Sequence, residues 1–310
     1  METTLHRQLK EKFRESNSHI EVKLGRYRID VVNGGRLMEI QRSGLAAIRD
    51  KINKLLHDGY TVDVVKPLVS RKRLIKLNRK NGKEVDRRWS PRKGSILDLF
   101  DELIYFTRVF PHPNLTLITP LIQIEEIRYP GHGKRRRRRA GDFVVSDRLI
   151  LDMEDAYTFK TVHDLHSLLP KKLPKTFDTK ELASCMGIKR HDAQRIAYVM
   201  RKTGAAIEEG KRGNAILCRL ATKQESSKAM KQMKPKQKAI VAAADKLEKA
   251  KIVAEARDAK NNVRNEVGAV VKTAAKKRAK PTQKKTTTAK MTSKKLKKTS
   301  TRRKQKSKAA

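Results

Sequence analysis

Apolar residues recur every four positions between Thr3 and Glu15, at Leu5, Leu9 and Phe13, and predict a helix. The period then drops to two. His19 to Leu24 alternates apolar and polar, Gly25 interrupts, and Arg26 to Val32 alternates again. Asn33-Gly34-Gly35 is a hairpin turn signal, because these residues tolerate positive φ, and Arg36 to Gln41 completes a three-strand meander. Leu45, Ile48, Ile52, Leu55 and Leu56 then line one face of a helix ending near Gly59. Tyr60 to Val65 is a fourth strand, parallel to the third because a strand–helix–strand crossover of this length returns in the same direction. The order is α-β-β-β-α-β.

The next stretch is less regular. Arg71-Lys72-Arg73 and Arg87 to Gly94 read as basic turns, with Trp89 anchoring its loop or, as the alternative, stacking on a base. Ser95 caps a helix carrying Ile96, Leu99, Phe100, Leu103 and Ile104. Leu115 to Ile118 and Leu121 to Ile127 read as two strands, either extending the first sheet or joining it to the next module. From Thr161 the pattern clears. Val162, Leu165, Leu168 and Leu169 make a short helix stopped by Pro170. Asp178 with Glu181 forms a capping box for a second helix, and Gly187 turns the chain into a third, Arg190 to Lys202, with Ala193, Ile196, Ala197 and Met200 inward. Strands at Ala205–Ile207 and Ala215–Leu217 flank a basic tip, Glu209 to Asn214.

Charge narrows the partners. The chain has 310 residues with 75 Lys+Arg against 33 Asp+Glu, a formal net charge of +42. Such a surplus points to a polyanion rather than a small neutral ligand. Residues 221–310 hold 29 Lys+Arg and 6 Asp+Glu, with no acid after Glu266, and read as a disordered tail with a marginal helix over 238–275. Lys134 to Arg139 is a second basic run and reads as an exposed loop. Two cysteines, Cys185 and Cys218, are too few for a disulfide framework or a cysteine-built zinc site. With no secretory segment after Met1 and no long apolar run, the expectation is a cytoplasmic, nucleoid-associated protein with no membrane partner.

Strand periodicity also places chemistry. Glu39 and Gln41 share one side of the third strand, Asp30 is out of phase with Ile29 and Val31, and Glu21 with Ile20 and Val22. Three carboxylates and an amide can therefore converge on one face, and clustered carboxylates persist most naturally around a hard divalent cation such as Mg²⁺ or Mn²⁺. Helix, meander, Asp30, eight residues, Glu39-Ile40-Gln41, then helix and strand resembles the core of the PD-(D/E)xK nuclease-like superfamily. The resemblance implies metal ligation by Asp30, Glu39 and the Ile40 carbonyl, with Asp30, Glu39, Gln41 and Glu21 as catalytic candidates. Gln41 stands where the superfamily has lysine, and can hold a water but not supply a cation. The superfamily often adds a glutamate from the first helix, for which Glu2 or Glu11 are the candidates, with Glu21 as a third option.

Three helices and a hairpin over the later segment resemble a winged helix-turn-helix domain. That implies DNA contacts from Lys189, Arg190, His191, Gln194, Arg195 and Arg201 in the third helix, and from Lys211 and Arg212 in the wing. The tail resembles those of linker-histone-like proteins. The expected fold is thus α/β: a small αβββαβ domain over 1–70, a connecting α+β segment over 71–155, an α+β winged-helix domain over 156–220 and a basic tail over 221–310. The expected function is a DNA-binding, Mg²⁺-dependent endodeoxyribonuclease. The alternative is a non-catalytic DNA-binding regulator or nucleoid-associated protein on a degenerate nuclease fold.

Overall fold

The computed structural model describes residues 3–131, 142–232, 242–257 and 259–260. The Lys134 to Arg139 run and most of the basic tail therefore lie outside the described residues. The chain divides into two compact units, Met1–Ala259 and Lys260–Ala310, and the sheets with the helices packed on them belong to the first.

The first unit is mixed α/β, built on a large mixed sheet. It opens with α1 (Thr4–Phe13), β1 (His19–Leu24), β2 (Tyr27–Asn33), β3 (Arg36–Ile40), α2 (Arg49–His57) and β4 (Thr61–Val65). The meander pairs antiparallel, Gly34 supplies the positive φ of its turn, and β4 lies parallel to β3. The apolar run from Leu45 begins as a short 3₁₀ turn before α2, and Leu45, Ile52, Leu55 and Leu56 are buried.

Beyond β4 the sheet departs from expectation. Arg71 to Arg73 belong to a strand, β5 (Leu68–Leu77), and Arg87 to Trp89 to another, β6 (Glu84–Trp89), so neither is a basic turn. After α3 (Leu99–Leu103), the two expected short strands are one, β7 (Leu115–Pro130), and it pairs along its length with β8 (Phe143–Phe159). These strands extend the first sheet rather than leaving it. β4 and β5 follow one another along β7, interrupted at Lys66-Pro67, in one register as far as Val69, after which a bulge at Ser70 shifts it by one residue. Pro120 is tolerated inside β7 because its missing N–H falls opposite that break. The strand order is β1-β2-β3-β4-β7-β5-β6, with β8 on the other edge of β7. The body of the sheet is covered by helices on both faces. β6, β5 and the far ends of β7 and β8 form an arm, and every β6 residue is exposed. An uncovered strand needs no apolar alternation, which is why periodicity missed it.

The chain continues through α4 (Val162–His166), β9 (Thr176–Phe177), α5 (Thr179–Met186), α6 (Arg190–Lys202), β10 (Ala206–Arg212), β11 (Ala215–Leu220) and α7 (Lys223–Gln232). Asp178 caps α5 in a reciprocal box with Glu181, and Gly187 ends it in the left-handed conformation. β10, β11 and β9 form a second, three-stranded sheet. One core runs from α2 and α3 through Phe159 to α4, α5 and α6, so the sheet and the helical segment pack as a continuous apolar mass. A smaller core joins Leu5 and Leu9 of α1 to Val31, Met38, Ile40 and Val65 on the opposite sheet face.

α7 docks through a chain of hydrogen-bonding side chains. His166 Nε2 donates to the Ala205 carbonyl at 2.7 Å, and its Nδ1 lies 3.2 Å from His163 Nδ1. His163 Nε2 in turn lies 2.7 Å from Ser226 Oγ of α7, whose hydroxyl also faces the Thr222 and Lys223 carbonyls at 3.1 Å. Burial holds the His166 pKa below the ordinary imidazole value, the Ala205 bond opposes this, and repulsion from His163 adds to it. A base whose folded pKa is lowered contributes stability above its unfolded pKa of about 6.5 and loses it as the pH falls below. Protection of the 223–227 amides, measured against their intrinsic exchange rates, should therefore fall as the pH drops from 7.5 to 5.5. Exchange there that follows only the intrinsic pH dependence of free amides would refute the relay.

Candidate functional site

The geometry begins with a break in the meander. β1 and β2 pair on either side of Glu21 and Asp30 but not at them, and Glu21 takes a φ of +56°, a conformation non-glycine residues rarely adopt. β2 pairs with β3 only from Val31 onward, so Asp30 sits where the two strands part. Its carboxylate fills the gap, accepting from the Ile40 main-chain N–H at 2.9 Å. Ile29 consequently packs in the α2-side core and Val31 in the α1-side core, although strict alternation would put them together.

Helices on both faces send basic side chains to these acids. From α1, His6 Nε2 lies 3.3 Å from Asp30 Oδ2, while Lys10 Nζ lies 3.0 Å from Glu21 Oε1 and 3.6 Å from Asp30 Oδ1. Arg28 completes the Glu21 pair. From α2, Lys51 Nζ donates to Glu39 Oε2 at 2.7 Å and to the Arg28 carbonyl at 2.7 Å. The Lys10 side chain is 5% exposed and that of Glu39 13%, so these pairs are shielded from solvent. Glu11, by contrast, is exposed and pairs with Arg14, and Glu2 lies outside the described residues. What α1 brings to the acids is His6 and Lys10.

Two carboxylates differ in electrostatics. Burial and the charge of Asp30 push the Glu39 pKa above the ordinary carboxyl value, against the pull of Lys51 and His6. Burial also acts to raise Asp30, but hydrogen bonds from His6 and the Ile40 N–H, with Lys10, bring it below. Lys10 is the main cause lowering Glu21. Asp30 and Glu39 therefore feel each other directly, while Glu21 is tied to Lys10 and Arg28 at the side. The repulsion expected among the three acids is met largely by Lys10, Arg28 and Lys51.

Gln41 follows β3, and its Nε2 donates to Ser43 Oγ at 2.7 Å and to the Gly44 carbonyl at 2.9 Å. The same loop is pinned from below by buried Lys66, which donates to the Ser43 carbonyl and meets Glu102, whose carboxylate accepts from the Leu45 N–H. The Gln41 amide thus closes the loop that feeds α2 and aims Lys51. Asp30 and Glu39 offer hard oxygen donors that suit Mg²⁺ or Mn²⁺, which needs only one or two protein carboxylates beside water and phosphate. Among the described residues no group of three His, Cys, Asp or Glu side chains is arranged to hold a metal.

Around α6 the sequence-expected contacts are distributed unequally. Lys189, Arg190, His191 and Gln194 are exposed, and Lys211 and Arg212 are exposed on the hairpin. Arg195 donates to Asp101 of the first sheet's α3 at 2.9 Å, Arg212 to Glu181 at 2.8 Å, and Arg201 pairs with Glu208. Such surface pairs hold about 0–1 kcal/mol each, so a phosphate can displace their acids. Arg190, Gln194 and Arg201 border a cleft of about 220 Å³ against β9, α5 and the hairpin. The outward face of α6 also carries Tyr198 and Lys202, whose ammonium lies 6.0 Å from the Tyr198 ring centre. Both follow His191 and Gln194 at helical spacing and were legible by that rule.

Residues 3–160 match the model of a family described as a domain of unknown function, DUF8091. The match ends one residue after β8, at the edge of the large sheet. An uncharacterized protein of Treponema pallidum (strain Nichols) is 33% identical over 219 residues, spanning 70% of this chain and 85% of that protein. No solved structure matches. Among the described residues, no helix is long and apolar enough to cross a membrane.

Proposed function

The chain belongs to the DUF8091 family, and from that premise we propose that it is a DNA-binding protein whose sheet domain hydrolyses phosphodiester bonds with Mg²⁺ or Mn²⁺. The observation that carries this is the Asp30 carboxylate at the parting of β2 and β3, near enough for its charge to raise the Glu39 pKa, with an ammonium on Glu39. Asp30, Glu39 and the Ile40 carbonyl would hold the cation, which supplies an activated water and offsets charge on the phosphate. The water adds to phosphorus, the ester P–O bond breaks, and the leaving oxygen takes up a proton. Lys51 restores at this point the cation that Gln41 cannot provide. The nuclease-like core of the PD-(D/E)xK type is further supported by the α-β-β-β-α-β order with its parallel β4.

The winged-helix part is supported by the α4–β9–α5–α6–β10–β11 order, the three-stranded sheet and the exposed cations of α6 and the hairpin. In this role Lys189, Arg190, His191, Gln194, Arg195 and Arg201 contact the groove or its phosphates, and Lys211 and Arg212 the backbone. The basic tail adds sequence-blind affinity in the cytoplasm, on the nucleoid.

A second reading, a DNA-binding protein without catalysis, is favoured by the protein's own cations already balancing the acids and by the structural use of the Gln41 amide. The full chain, Asp30→Asn and Glu39→Gln should be incubated with supercoiled, linear and branched DNA in each metal. Cleavage by the parent alone, with all three shifting DNA equally, is the expected result. Intact DNA in every metal, with equal shifts, selects the second reading. Affinity should fall with a log–log salt slope of about −0.9 per phosphate contact on duplex DNA, and a flat response would remove both.

A further inference from the structure

The sheet arm carries a second collection of functional groups, far in sequence from the carboxylate pair. Cross-strand register sets Arg88, Leu74, Glu126 and Arg148 in one row, and Asp86, Lys76 and Arg128 in the next, all on one face. Glu126 is 1% exposed and receives Lys72 at 3.1 Å, Arg148 at 2.8 Å and the Arg128 Nε at 2.6 Å. Three cations share one carboxylate, so the row keeps a positive surplus while Arg128 is held rigid. The guanidinium carbon of Arg128 lies 3.8 Å from the Phe143 ring centre, and Phe143 remains 37% exposed. Beside this stack is a cavity of about 350 Å³ with an apolar floor at Leu74, cations Lys76, Arg88 and Arg128, and carboxylates Asp86 and Asp142 on its rim.

From this combination we infer that the arm cavity binds an unpaired nucleotide, its base stacked on Phe143 and its phosphate met by Arg88 and Lys76. Each part selects for that class. The volume lies at the lower end of small-ligand pockets, about 300–1,000 Å³, and suits one base with its sugar rather than a duplex. An aromatic ring already backed by a fixed guanidinium is a platform for a planar base. The cations accept a phosphate, while the two rim carboxylates accept from base N–H groups and repel the side chains of an acidic peptide. The inference rests on the nucleic-acid part of the proposed function and not on hydrolysis.

The full chain should be irradiated with a 5-iodouracil-containing single strand, and with its duplex, and the crosslinked peptides mapped. Crosslinks at the Phe143 strand with the single strand but not the duplex are expected. Phe143→Ala should lower them about tenfold or more, the loss expected of one stacked base. Arg88→Glu should do the same, and its side chain is 62% exposed, so folding is not at stake. Protection by free thymidine monophosphate would assign the cavity to mononucleotides, and its absence to a strand; either keeps the nucleotide class. Crosslinks confined to α6, the hairpin or the tail would overturn the inference while DNA binding stands, as would equal protection by polyglutamate. No binding to either DNA would remove the nucleic-acid reading as well.

Discussion

Lys51→Met is expected to lower metal-dependent cleavage about 10²–10³-fold at neutral pH, the cost of removing one fixed charge donor from a reacting centre. The ammonium acts on Glu39, at 2.7 Å, and through it on everything Glu39 holds. Glu39 already lies above the ordinary carboxyl value through burial and the charge of Asp30, and Lys51 is what pulls it down. Without Lys51 its pKa rises further, so a larger fraction is protonated and unable to hold a cation. The acid limb of the pH–rate profile should move to higher pH, with activity recovering as the pH is raised. Lys51→Arg keeps the charge and should recover part of the rate. A residue needed only for folding would lower activity without moving the profile. An unchanged rate and profile in Lys51→Met would show that Glu39 works without this cation.

Glu126→Ala is expected to destabilise the protein by about 3 kcal/mol, near the lower end for breaking a buried ion pair. The lower end applies because Lys72, Arg128 and Arg148 are 29%, 23% and 39% exposed and can partly turn to water. The same size follows from titration. Burial acts to raise the Glu126 pKa, but Arg148, Arg128 and Lys72 outweigh it and bring it from 4.5 to about 2. That depression corresponds to about 3 kcal/mol. A carboxyl with a lowered folded pKa contributes stability above its unfolded value and loses it as the pH falls. The contribution should therefore be full above about pH 4.5 and decline toward pH 2. Urea unfolding of the parent, Glu126→Ala and Glu126→Gln across this range measures it. A loss below about 1 kcal/mol at pH 7 would mean the three cations need no buried partner.

How much of this was legible depends on what each feature answers to. The alternation that set Asp30 and Glu39 among polar positions identified the two acids that do sense each other, and Leu5 and Leu9 correctly predicted α1 and its buried side. The same spacing said nothing of His6 and Lys10, one residue further on, because their worth appears only once α1 lies across β2. Alternation even misplaced Ile29 relative to Val31, since Glu21 breaks the ladder with a backbone angle that no hydrophobic pattern records. Arg71 to Arg73 and Arg87 to Trp89 read as turns because the arm is held by main-chain pairing and ion pairs, and neither leaves an apolar period.

The sequence by itself determined the elements and their order through most of the chain, along with their caps and turns. Those are decided between neighbours two to four residues apart, as in the Asp178–Glu181 box and the Gly34 turn. Only the tertiary structure decided which charges meet. Lys51 finds Glu39 twelve residues away, Lys72 finds Glu126 across 54, and Arg195 finds Asp101 across 94. A long flexible cation can pair with any acid the fold brings within reach, and burial sets what that pair is worth.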